Sequence, residues 1–146
     1  MEEMVGSREL SVTQSLELLG SVRFGRVVFS RYALPTIRPV NHAVVDETIV
    51  IYANPGTTLS ADRQVVAYEA DTIDHATLRG WCVIVTGAAE ELTDPDDIAQ
   101  CRELLPAALP GPRDRMIRIY PDIVTGVEYL VSSAVDDSDT VRQPPG

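Results

Sequence analysis

The chain has 146 residues, 45% of them hydrophobic and 23% charged, with a formal net charge of −10. That length suffices for one domain with its own core, and the acidic balance argues against a nucleic-acid partner, which needs a clustered basic face. All twelve basic residues are arginine, so neither a Schiff-base lysine nor a P-loop lysine is available.

In chain order, residues 7 to 20 predict a leading helix. Ser11 is placed to cap it with Gln14 three residues on, Leu16, Leu18 and Leu19 give an apolar face, and Gly20 suits a left-handed C-terminal position. "SVRFGRVVF" then turns to a period of two, with Val22 and Phe24 on one face and Gly25 as a bulge or a point of close approach. The next strand, "TIRPVNHAVV", contains Pro39, which cannot donate to a ladder. It is therefore an edge strand, or one whose N–H side faces something other than a neighbour. "VDET" is a short hairpin turn into "TIVIYA", an apolar run that suits a strand buried on both faces.

"NPGTT" ends that strand, and "TLSADRQ" leaves room for one or two helical turns. "VVAYEAD" is a fourth strand and "WCVIVTGAAEEL" a long fifth, bent at Thr86-Gly87. In "TDPDDIAQCRELL", Thr93 is read as the cap, with Pro95 in the first turn and Asp96 and Asp97 at the positive end of the dipole. "RMIRIYP" and "VEYLV" make a sixth strand and a short seventh. The acidic, apolar-poor segment from 132 to 146 is expected to be a disordered tail to a single domain over 1–131. The pattern predicts a mainly β fold: a six- or seven-stranded antiparallel split β-barrel with two or three short helices.

No segment approaches the ~20 continuous apolar residues of a membrane span. The start "MEEMVGSREL" lacks the basic and apolar regions of a secretory signal, so the expected location is the cytoplasm. Cys82 and Cys101 are too far apart for a CxxC pair, and His42 and His75 stand alone, so no zinc-ligand spacing exists and the thiols read as structural. His42, mid-strand, reads as a hydrogen-bonded core or interface histidine. No nucleophile elbow is present, and Asp96-Asp97 is explained by helix capping. Side-chain catalysis is not visible, which suits a protein whose cofactor carries the electrons.

The order "GRVVFSRYALPTIRPVNHAVVDETIVIYA", "GTTL", "VVAYEADTID", "GWCVIVTGAAEELTDP" and "RIYPDIVTG" resembles the pyridoxamine 5′-phosphate oxidase-like, flavin-binding split-barrel family, and within it a small actinobacterial branch. The resemblance covers about residues 8 to 130. It implies a homodimer that binds FMN, or in some branches a deazaflavin, at the subunit interface. Arg38, Pro39, Val40 and Asn41 would then lie beside the flavin ring, with Ile51 and Tyr52 approaching from the next strand. Gly56, Thr57, Thr58 and Leu59 match the segment that grips the phosphate, and Trp81 would sit near the ring or the dimer seam. No metal site and no particular catalytic residue is implied. The residues themselves leave a second reading of "RPVN" open, a plain edge strand with proline as a guard against aggregation.

Two departures bear on the phosphate. Many relatives carry Arg where this chain has Ala53 and Lys where it has Thr58. Losing two charge-assisted hydrogen bonds of ~1.5–3 kcal/mol each would weaken FMN by on the order of two to four decades unless compensated. The Thr57, Thr58 and Ser60 hydroxyls, a helix N-terminus near Thr58, and Arg26, Arg38 or Arg63 are the candidates for compensation. Three functions follow: an oxidoreductase passing hydride between a nicotinamide and a small acceptor through flavin N5; a non-catalytic carrier of a flavin, deazaflavin or haem-like ligand; or a dimeric barrel without cofactor.

Overall fold

The computed structural model describes residues 4–53 and 63–132. Seven strands and two helices follow in the order β1 (Met4–Leu10), α1 (Val12–Gly20), β2 (Phe24–Arg31), β3 (Leu34–Val45), β4 (Thr48–Tyr52), β5 (Gln64–Asp71), β6 (Gly80–Glu91), α2 (Pro95–Leu104) and β7 (Met116–Ser132). All pairings are antiparallel, and the strand order β1-β7-β4-β3-β2-β5-β6 closes through an additional β6–β7 ladder. Six strands thus form a barrel, with β1 added to the outside of β7. The expected mainly β split barrel is what the chain adopts. No described helix is long and apolar enough to cross a membrane.

Two hairpins set the register of β2, β3 and β4. Arg31 pairs with Leu34 across Tyr32-Ala33, and Val45 with Thr48 across Asp46-Glu47. All four turn residues have positive φ, between 49° and 63°. Such two-residue turns match the right-handed twist of the flanking strands, and here they hold without glycine. The Thr48 hydroxyl donates to the Val45 carbonyl and steadies the second.

The interior is filled from alternate positions: Val27 and Phe29 on β2, Ile49 and Ile51 on β4, Val66 and Tyr68 on β5, Trp81, Val83 and Val85 on β6, and Ile117 and Ile119 on β7. Helix α1 stoppers one end through the fully buried Leu19. Each such side chain contributes about 1.5–3 kcal/mol by leaving water. A second, outer cluster of Val45, Val50, Tyr52, Leu92, Cys101, Leu105 and Met116 seats α2 on β4 and β7. Arg118 of β7 locks it there by gripping both Asp97 oxygens at 2.7 and 3.1 Å.

The helix α1 begins at Ser11 with the expected capping box, both reciprocal bonds to Gln14 being made. Residues 7–10, however, are strand: they pair with Val127–Tyr129 and Gly126 of β7 instead of opening the helix. Gly20 is helical and Ser21 closes the helix with φ −84°, so no left-handed residue is used. On β2 the inward face is Gly25, Val27 and Phe29, while Phe24 is exposed. Gly25 is a close-approach point without a bulge. Asp94, one residue past Thr93, caps α2. The sixth and seventh strands are one strand, since β7 runs unbroken past Pro121. Gly87 pairs with Pro121 and Thr86 with Ile123, leaving Asp122 between them as a bulge. The bend foreseen at Thr86-Gly87 is that register shift. The helical turns expected after Thr58 and the tail from 133 lie outside the described residues.

Candidate functional site

The barrel is split where β3 and β4 part. They pair from His42–Ile51 to Val45–Thr48, whereas Leu34–Asn41 of β3 pairs only with β2. Beyond Ile51, β4 continues against β7, Tyr52 facing Met116 and the Ala53 N–H donating to the Arg115 carbonyl. The half of β3 that carries Pro39 therefore has one edge without a strand neighbour among the described residues, as its proline demands.

Pro39, Val40, Asn41 and Tyr52 come together at this split, and a loop absent from the sequence reading meets them there. The Asn41 amide is buried and doubly bonded to the backbone of Leu109: its Nδ2 donates to the Leu109 carbonyl at 2.9 Å, and its Oδ1 accepts the Leu109 N–H at 2.7 Å. Leu109, Pro110, Gly111 and Pro112 thereby wall a crevice of only about 30 Å³ beside Pro39–Asn41 and Tyr52. Ligand pockets generally run to ~300–1,000 Å³, so this crevice encloses no tricyclic ring while the loop is down.

The other expected site residues are distributed differently. Arg38 shares the face of Val27 and Val40, is exposed, and among the described residues bonds the Ile37 carbonyl. Ile51 points into the barrel core and Tyr52 into the outer cluster. Trp81 belongs to the barrel core, on a strand that lies across the barrel from β3. Gly56, Thr57, Thr58 and Leu59 lie outside the described residues. Of the arginines that might compensate for missing basic residues, Arg26 is engaged by Glu69 and Asp71, and Arg63 lies near Glu90 and over the Tyr120 ring. Arg38 forms no ion pair among the described residues.

On the outward side of the sheet, Arg26, Val28, Ile37, Glu69 and Asp71 line a shallow groove of about 330 Å³, directly beside β3. Burial, together with a hydrogen bond and charge repulsion from Asp71, raises the Glu69 carboxyl above its ordinary range. The same burial and the Glu69 charge push the neighbouring Cys82 thiol up to about 11, which leaves it protonated and unreactive at neutral pH. Phe24 and Ile37 are exposed on the outward side of β2 and β3, and Val65 and Ile84 on that of β5 and β6. A strand edge without a strand neighbour among the described residues and apolar side chains for a ring fit a flavin, whereas Arg38 lies on the opposite face of β3 from this groove. This groove is far roomier than the Leu109 crevice, and a further groove of about 500 Å³ lies between α1 and Val44–Glu47.

Behind β3, His42 is buried as a hydrogen-bonded core histidine. Its Nε2 contacts the Leu19 carbonyl at 2.7 Å, so that nitrogen carries the proton, and its Nδ1 accepts from the Tyr68 hydroxyl. Burial lowers its pKa and keeps it neutral. Tyr68 reaches it over Gly25: a Cβ there would stand 2.7 Å from the Tyr68 hydroxyl and 2.5 Å from the Glu69 carbonyl. Among the described residues no group of three or more histidines, cysteines or carboxylates is placed to hold a metal.

Comparison with known proteins adds three findings. Residues 11–128 match the family model described as pyridoxamine 5′-phosphate oxidase. The uncharacterized protein Rv0080 of Mycobacterium tuberculosis is 42% identical over 132 residues, covering 86% of this chain and 87% of its own. Among solved structures, the FAD binding protein of Mycobacterium smegmatis is 30% identical, with a TM-score of 0.66 over 84% of this chain and 100% of that one. A provisionally assigned pyridoxamine 5′-phosphate oxidase of Corynebacterium glutamicum is also 30% identical, with a TM-score of 0.71 over 87% and 100%.

Proposed function

The chain belongs to the pyridoxamine 5′-phosphate oxidase family, and from that premise we propose that it is a cytoplasmic, homodimeric flavoprotein that binds FMN along β3 and acts as an oxidoreductase. The observation that carries the reading is the free edge of Leu34–Asn41 beside a groove large enough for a ring. A bound flavin supplies reversible two-electron chemistry, in this reading between a nicotinamide and a small acceptor. The chain's own residues bind and orient it. Main-chain groups of β3 meet its polar edge, and Ile37 and Val28 cover its face. The Gly56–Leu59 segment takes the phosphate, since Arg38 lies on the opposite face of β3. A second copy of the chain closes the open side, packing on the exposed Phe24 and Ile37.

The test is optical. The purified protein, or the protein titrated with FMN and in parallel with FAD, should show flavin absorption shifted by binding. NADH or NADPH should then remove the visible bands. Thr58→Lys should tighten FMN if that position faces the phosphate. Binding without reduction by either nicotinamide would leave a ligand carrier. The small crevice behind the Leu109 loop supports a barrel without cofactor as a second reading, and absence of binding by both flavins well above micromolar concentration would select it.

A further inference from the structure

We propose that Asn41 is a recognition residue for the lactam or imide edge of a flat heterocycle, and that the Leu109–Pro112 loop is an internal mimic of that edge which the ligand displaces. The inference rests on the flavin reading above. A primary amide offers one acceptor and a donor pair side by side. Asn41 uses both on a single residue, taking the N–H of Leu109 at 2.7 Å and giving to its C=O at 2.9 Å. An adjacent N–H and C=O is also what a flavin's uracil-like edge presents. Sequence separation of 68 residues and the split between β3 and β4 mean that no ladder requires this contact. Asn41 is 6% exposed, so an unsatisfied amide here would be costly, and the loop keeps it satisfied while no ligand is bound.

The loop is built to lift. Pro110 and Pro112 donate no backbone hydrogen bonds, and Gly111 stands at φ +153° with open space around it. At its far end, the Arg102 guanidinium donates to the Arg113 carbonyl, and the chain is next tied down where the Ala53 N–H donates to the Arg115 carbonyl. Displacing the loop would uncover Pro39, Asn41 and Tyr52, the other wall of the crevice.

The variant Leu109→Pro removes the N–H that Asn41 accepts and leaves Asn41 itself untouched. It should tighten FMN, or FAD if that is the flavin bound, by roughly two- to tenfold, the equivalent of one net hydrogen bond. In the unaltered protein, saturating flavin should speed hydrogen exchange at the Leu109 amide, read by NMR. Equal or weaker binding by the variant together with unchanged Leu109 protection overturns the strap and leaves the flavin reading standing. Absence of flavin binding by both proteins overturns both.

Discussion

His42 and Tyr68 meet edge to face inside the barrel, their ring centroids 5.0 Å apart and their planes at 79°, with the phenol hydroxyl bonded to the imidazole. The same hydroxyl also lies 3.3 Å from the Val40 carbonyl. This pair ties α1, β5 and β3 into one buried unit, and it makes stability depend on pH. Burial lowers the folded pKa of His42 below the ordinary 6.5. The unfolded chain therefore binds a proton that the folded one refuses, and stability is lost as pH falls below about 6.5. Thermal unfolding of the unaltered protein and of His42→Gln, scanned from pH 7.5 to 5, should show a steeper fall for the former. Parallel slopes would mean that His42 titrates normally.

Gly25→Ala should be destabilising because its new methyl has nowhere to go. The Glu69 carbonyl is main chain and cannot yield as the Tyr68 hydroxyl might. Overpacking of this kind costs about 1–3 kcal/mol, a fall in Tm of roughly 3–10 °C. Adding Tyr68→Phe should relieve only part of the loss, since the carbonyl remains; full rescue would assign the clash to the hydroxyl alone.

Arg118→Met should loosen α2 without touching the barrel interior. It removes a two-pronged pair with Asp97 and a further bond to the Thr48 hydroxyl, from a side chain only 15% exposed. Charge-assisted bonds of this type contribute about 1.5–3 kcal/mol, which corresponds to a Tm lower by roughly 5–10 °C. The bond from Arg118 also holds the Asp97 carboxyl below its usual range. Its stabilising share is present above about pH 4 and disappears as pH drops further. The variant should consequently lose part of the acid sensitivity along with the stability, measurable by denaturant unfolding at pH 7 and pH 3.

Ile37→Glu tests the second copy. Ile37 is 57% exposed and lines the groove beside β3. A carboxylate at the centre of an apolar interface cannot be paired cheaply. Sedimentation should report a dimer for the unaltered protein and a monomer for the variant, with flavin affinity falling in parallel. A variant that stays dimeric would move the interface to another face.

The parts of the fold that were legible in the sequence are those whose signal is local. The capping box of α1, the tight turn at "VDET" and the edge proline all act within a few residues, and each appears where read. Strand β1 was missed because its partner is 120 residues away and its face is largely exposed, so no apolar alternation marks it. Pro121 looked like the end of a strand because sequence cannot show that Gly87 opposes it across a bulge, where a missing donor does no harm. The strand count nevertheless agrees, one missed strand offsetting one division too many. At the site, Asn41 was read as a residue that faces ligand. Its partner Leu109 sits in a Pro-rich stretch without periodicity, and only the fold brings it near.

β7 spans 17 residues and lies against β4, β6 and β1 in turn. A keystone of this sort comes late: until residues 116–132 have been synthesised, β4 and β6 each lack a neighbour and β1 has nothing to lean on. The hydrophobic interior must therefore wait, partly open, for the last third of the chain. Assembly should be slow relative to helical proteins of equal size, and the greatest vulnerability of this molecule belongs to its birth and not to its working life.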